Sequence, residues 1–409
     1  MSPLTVTFDI PAKILMGLAN GSLTRSGGVI QDKSGRIIMW LREIGEPGRL
    51  NPMAIPMQGM LNATMAASTL SLGVSVVGFI VLTKKINDLE NRLEKIQKHL
   101  DKIDAKIDLG FYANFRAALD LAVNAFTMTN ADNRRSSALA AINRFLEAEH
   151  LYAELADQEL NVGSQIGNIY LLTLCLAYIA ESRCYLQLGE FDTAIRRFQE
   201  GKKQINSRTE KYLNLLLTSQ PLMYLHSDLK GETDLSRLTR IYQWKDHTLT
   251  ENSVFELIRK HIFSGYDLLK NSQFNKWTES IPAFILNTNN SELLRNLQFN
   301  EWIELLPSAV LDMESLTNAV RNSDSVEKIL RKSTKKGKEE ILKKLPLMLA
   351  EMESMIETNC RFNAYELEVK AMAKLGLSFH EWLQLQPIED KRSEMNMMCI
   401  LPSEPLYVQ

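Results

Sequence analysis

The sequence is poor in the residues that usually announce chemistry. Its four cysteines, Cys175, Cys184, Cys360 and Cys399, are scattered, with no C-x-x-C pair and no metal-ligand spacing. A disulfide framework needs denser, regular spacing, so a reducing compartment and small apolar core positions are expected for them. No H-E-x-x-H, G-x-S-x-G, Walker-type glycine-lysine loop or dinucleotide fingerprint occurs. The six histidines are dispersed. His150 beside Glu149 and His380 beside Glu381 are chain neighbours, and adjacent helical residues do not share a face. The chain therefore reads as non-enzymatic, with no metal and no cofactor. A net charge of −2 makes no case for nucleic acid as a partner. Asp9, Lys13 and Arg25 stand around the short apolar stretch "ILMGLA", which lacks the unbroken apolar region of a secretory signal, so a cytosolic start is expected.

Proline and charge are also missing over long intervals. No proline occurs between Pro56 and Pro221, and no charged residue between Leu50 and Thr83. The second gap contains "AASTLSLGVSVVGFIVLTKK" (66–85), closed by two lysines. A bilayer core needs roughly 20 apolar residues of helix, and residues 59–83 are long enough. Thr64, Ser68, Ser71, Ser75 and Gly78 alternate by four and three, which places them on one helical stripe. Such a stripe suits close helix packing in lipid or the lining of a wet lumen, with Val74, Val77, Ile80 and Val81 facing outward. The same segment also suits a buried central helix of a soluble bundle.

Beyond Lys85 the same line turns apolar. Ile86, Leu89, Leu93, Ile96, Leu100, Ile103 and Ile107 follow a three-four alternation with charged residues between, the pattern of a coiled-coil seam over 84–109. One helix of roughly 48 residues, about 70 Å long, would carry both segments and associate with copies of itself. Lys84, Lys85, Arg92, Lys95 and Lys98 follow the uncharged run and keep the later chain on the cytoplasmic side.

The expected fold is mainly α, in five parts. Residues 1–50 form a small α+β unit: "LTVTFDI" and "GRIIMWL" have strand composition, "PAKILMGLAN" is helical, and "GGVIQD" pairs with "GRIIMWL" across "KS". Residues 51–58 are a proline-rich linker, 59–83 the hydrophobic helix and 84–109 the coiled coil. Residues 111–409 form a helical-hairpin domain, because strong helix formers alternate there with short polar or glycine breaks.

Internal echoes support hairpins. "DLLKNSQFNKWTESIP" (267–282) and "ELLRNLQFNEWIELLP" (292–307) match closely, and the Phe-x-x-Trp-x-x-x-x-Pro skeleton returns at Phe379, Trp382 and Pro387. Trp277, Trp302 and Trp382 are expected to pack in cores. "AYIAESRCYLQLG" (177–189) echoes "AYELEVKAMAKLG" (364–376). In "YLQLGEFDTAIRRFQEG" (185–201), Leu188-Gly189, Phe191, Ala194, Phe198 and Gly201 are placed as in a turn and second helix. This resembles the tetratricopeptide repeat, a family of helical hairpins, and implies a protein partner on the repeats.

A basic run, "RKSTKKGKEEILKKL" (331–345), carries Arg331, Lys332, Lys335, Lys336, Lys338, Lys343 and Lys344. It is a candidate patch for anionic lipid headgroups, or a solvated loop and helix start. The order of segments is similar to that of α-helical pore-forming proteins, which shelter a hydrophobic stretch beside long coiled helices. That likeness implies a cytoplasmic protein that inserts conditionally into membrane lipid and oligomerises, in the manner of a toxin or defence effector. The competing expectation is a soluble helical scaffold with 59–83 as its spine.

Overall fold

The computed structural model describes residues 4–43, 79–100, 110–161, 166–217, 221–225, 229, 233–258, 327–387 and 397–408. The chain is mainly helical, with one small antiparallel sheet. It divides into two compact units. The first comprises 1–158, 166–209 and 357–409; the second comprises 159–165 and 210–356.

The sheet opens the first unit. Strand β1 (Leu4–Thr7) is followed by helix α1 (Ala12–Ala19), then β2 (Leu23–Ser26), β3 (Val29–Asp32) and β4 (Ile37–Glu43). The expected hairpin forms, with Val29 opposite Trp40 and Ile30 opposite Met39. Asp32 shapes its turn by accepting from the Ser34 hydroxyl and from the Ser34 and Arg36 backbone. The preceding turn, read only as turn-rich sequence, is a second hairpin in which Ser26 pairs with Val29 around Gly27-Gly28.

One expectation is corrected. Residues 111–409 are not wholly helical, because Met397–Pro402 forms strand β5. The strand lies between β1 and β4, giving the order β1-β5-β4-β3-β2. The N-terminal α+β unit is therefore completed from the other end of the chain. Ile400 lies opposite both Val6 and Trp40. A six-residue apolar run, "MMCILP", carries no periodicity that separates strand from helix, and the facing edges of β1 and β4, distant in sequence, decide its state. Alternation along β4 then divides its faces. Met39 and Leu41 join Ile14 of α1, Ile30 and Cys399 in one core, while Trp40 and Arg42 take the opposite face.

The helices follow as α2 (Phe79–Leu100), α3 (Gly110–Thr127), α4 (Ala131–Asn161), α5 (Gly167–Gln187), α6 (Phe191–Leu217), α7 (Leu235–Lys245), α8 (Glu327–Leu375) and α9 (Phe379–Leu383). Both echoed "LG" pairs end helices. Gly189 and Gly376 adopt φ of 77° and 67°, a region that glycine enters without a Cβ penalty. At each corner the glycine N–H bonds back three residues and the next N–H bonds back five: Gly189 to Leu186 and Glu190 to Tyr185, Gly376 to Ala373 and Leu377 to Met372. This is the Schellman arrangement, which satisfies carbonyls left over at a helix end.

Within the first unit α6 and α8 are stitched by amides and rings. Asn359 donates to Asn206 at 2.7 Å and Gln199 to Glu366 at 3.0 Å, while Phe362 lies between Phe198 and Tyr178. The sheet docks on α8 through Arg25, whose guanidinium meets Glu357 at 2.5 Å. Gly27 (φ 55°) lies so close that a Cβ would fall 2.6 Å from the Arg361 Cα. Burial alone would raise the Glu357 carboxyl, but the adjacent guanidinium groups of Arg25 and Arg361 hold it below its usual range.

The second unit has its own core, including Tyr224, Leu238, Ile241, Val254, Leu349 and Met352. Asp234 caps α7 by accepting from the Arg237 N–H. Arg237 in turn grips Glu353 with two nitrogens, at 2.9 and 2.6 Å.

Candidate functional site

The residues of the uncharged segment divide at Phe79. Thr64, Ser68, Ser71, Val74, Ser75, Val77 and Gly78 lie outside the described residues. Ile80 and Val81 belong to the first turn of α2, and the helix passes without a break through Lys84 and Lys85 to Leu100. That continuity follows from the missing prolines and the helix-forming Leu, Glu, Lys and Arg beyond Thr83.

Four positions on the line of the expected seam have a definite environment. Leu82, Ile86, Leu89 and Leu93 are 0–2% exposed, and α2 rests on α3 and α5 of the same chain. In a self-associating coiled coil those faces would meet another copy; here they are covered from within. Ile96 and Leu100 lie on α2 without described side chains, and Ile103 and Ile107 lie outside the described residues. Arg331, Lys332, Lys335, Lys336, Lys338, Lys343 and Lys344 all fall on α8, again with backbone alone described.

The seat of α2 is rigid. Arg116 of α3 pairs with Glu90 of α2, and Tyr112 of α3 shares a 2.8 Å hydrogen bond with Thr173 of α5. Tyr112, Phe115, Phe145 and Tyr152 pack edge to face or tilted beneath, with centroids 5.6–6.2 Å apart. Every residue of α5 except Tyr185 and Gln187 is buried. Among the described residues α5 is the helix long and apolar enough to cross a membrane, and it serves as the core of this unit. Its Cys175 and Cys184 are free and buried, and burial pushes both thiols away from ionisation.

A buried ion cluster stands where α4, α5 and α6 meet. Arg197 of α6 donates from Nε to Glu181 of α5 at 2.6 Å, from Nη2 to Glu149 of α4, and from Nη1 to Glu200. Side-chain exposure is 14% for Arg197, 5% for Glu149 and 0% for Glu181. The same guanidinium lies 5.2 Å from the centre of the Tyr178 ring. Glu181 and Arg197 are each eight residues from Gly189, so their contact makes α5 and α6 an antiparallel hairpin.

Two buried carboxyls around one cation do not both ionise readily. Burial, and then the charge of Glu181, hold the Glu149 carboxyl well above its ordinary range. Burial raises the Glu181 carboxyl as well, so the pair favours carrying a proton beside the Arg197 cation. This cluster was missed in the sequence. A signal was present: Glu181 is the sole acidic residue of a mostly apolar 21-residue helix.

The hairpin of α5 and α6 packs through small and aromatic residues. Ala194 and Phe198 are fully buried, and a Cβ on Gly201 would fall 2.7 Å from the Phe362 ring. Trp382 is in the core, 1% exposed; Trp277 and Trp302 lie outside the described residues. Among the described residues no group of three or more His, Cys, Asp or Glu is arranged to hold a metal ion. No protein-family model, curated protein or solved structure matches the chain.

Proposed function

We propose that this chain is a non-enzymatic, membrane-acting helical protein. Its hydrophobic segment 59–83 enters or anchors to a bilayer, and its helical body, on the cytoplasmic side, controls that exposure and receives a protein partner. The observation that carries this reading is the seating of α2. The last residues of an uncharged run lead, without a helical break, into a helix whose Leu82, Ile86, Leu89 and Leu93 are buried on α3 and α5. Force or conformational change in that body is thereby coupled to the segment. Lys84 and Lys85 stand at the transition, where a membrane interface would place them. Self-association, on this reading, belongs to Ile96–Ile107 and not to the covered positions. The basic residues 331–344 supply a second, electrostatic contact with anionic lipid.

A second reading, a soluble scaffold with 59–83 as a core helix, is favoured by α5. In that helix the same chain buries a long apolar run within its own core. Liposome flotation combined with dye release separates the two. The full chain is expected to float with vesicles and release dye, and a Gly73→Glu/Gly78→Glu variant that still folds is expected to do neither. Flotation without leakage would reduce the role to an anchor. A monodisperse chain that stays off both anionic and neutral vesicles would favour the scaffold.

A further inference from the structure

The outer face of the sheet carries a second buried polar centre, separate from the ion cluster. Trp40 and Arg42 stand two residues apart on β4 and meet α9 together. Trp382 approaches Trp40 edge-on, centroids 5.5 Å apart at 90°, and the Arg42 guanidinium carbon lies 5.1 Å from the Trp382 ring centre. Arg42 Nη1 donates to the Trp382 carbonyl at 2.7 Å, and Trp382 Nε1 donates to Glu368 at 2.7 Å. All four residues are at least nine-tenths buried.

Three donors at this centre have no acceptor among the described residues: Arg42 Nε, Arg42 Nη2 and Trp40 Nε1. The pattern is specific. Nε and Nη2 form one edge of the guanidinium, the edge that takes two oxygens of a carboxylate or phosphate in parallel. The indole N–H adds a donor on the same face of the strand, and like the guanidinium it cannot accept. Burial lowers the proton affinity of Arg42 more than the nearby Glu368 restores it, so the local negative charge does not fully offset the cation. Buried donors of this kind are normally satisfied.

We infer that Trp40 and Arg42 form a binding site for a small oxyanion, a carboxylate or phosphate group clasped by the Arg42 edge and capped by the Trp40 indole. The donors lie inside the surface, so exchange requires α9 to lift, and Gly376 before it supplies a pivot. The site is independent of the membrane reading.

The test begins with purified full chain, denatured in acid, and ion chromatography of what is released. A near-stoichiometric carboxylate or phosphate supports the site. If none is released, calorimetric titration with inorganic phosphate and with acetate follows, beside chloride at matched ionic strength. Saturable binding of one of them is expected, with at least a tenfold loss of affinity in Arg42→Lys, which keeps the charge but not the two-donor edge. A smaller loss is expected in Trp40→Phe, which also serves if the lysine variant does not fold. Release of no anion together with no saturable binding overturns the proposal and leaves enclosed water as the acceptor. Equal binding by wild type and both folded variants overturns it too, since the ions would then bind elsewhere.

Discussion

At the end of α5, Leu188 and Gly189 turn the chain into α6; at the end of α8, Leu375 and Gly376 turn it into α9. The two corners share an Ala-Tyr pair, a glutamate and the Leu-Gly stop at equal spacing, and they share the same two backbone hydrogen bonds. The glutamate differs in what it holds. Glu181 takes a guanidinium from the next helix and shares it with Glu149, whereas Glu368 takes the indole N–H of Trp382. A repeated backbone device thus presents a buried acid at the same place twice, and the following helix decides whether it is answered by a charge or by a neutral donor. The charged answer brings a second carboxyl and with it a dependence on pH.

Removing the donor should separate the corners most. Arg197→Ala leaves Glu149 and Glu181 buried without their cation, and urea unfolding is expected to register a loss of about 3–5 kcal/mol. Trp382→Phe keeps an aromatic ring but removes the indole N–H that Glu368 accepts, for an expected cost of about 1–3 kcal/mol. Comparable losses at both corners would mean that the charge at the first contributes nothing beyond a hydrogen bond.

The proton gives the next contrast. Glu149 binds it more tightly folded than unfolded, so its contribution to stability is complete below the unfolded carboxyl range and declines as pH rises toward the folded value. Glu149→Gln mimics the protonated acid and needs no proton. Its stability should match wild type near pH 4 and exceed it at neutral pH, the gap widening by up to about 1.4 kcal/mol per pH unit. Stability curves at several pH values check this; parallel curves would place the proton elsewhere.

The glycines offer the finest comparison. Nothing lies within 4 Å of a Cβ on Gly189 or Gly376, so alanine at either costs only the left-handed backbone, about 1 kcal/mol. The two thermal shifts should agree. A larger loss at Gly376 alone would indicate that α9 must move about that residue.

Much of this fold was legible. The β3–β4 hairpin followed from two strand-like runs around a polar turn, the helix through Lys84 and Lys85 from missing prolines, and both corners from a Leu-Gly echo. Each is set by residues a few positions apart. The second partner of β4 was not legible, because β5 comes from residues 397–402 and its apolar run has no period of its own. The ion cluster was missed for the same reason: Glu149, Glu181 and Arg197 sit on three helices whose facing sides are chosen only when they pack. Ile86, Leu89 and Leu93 share one helical line, but spacing alone does not say whose surface covers them.

The sequence by itself therefore determined where helices run and stop, which residues are apolar along them, and that a long uncharged run precedes α2. Local sterics and periodicity suffice for that. Only the tertiary structure decided that both ends of the chain share one sheet, that Leu82, Ile86, Leu89 and Leu93 are covered by α3 and α5, and that Glu181 and Glu368 receive different donors. Those outcomes depend on which buried faces meet across hundreds of residues, where burial and the pairing of polar groups choose among partners that local propensity leaves equal.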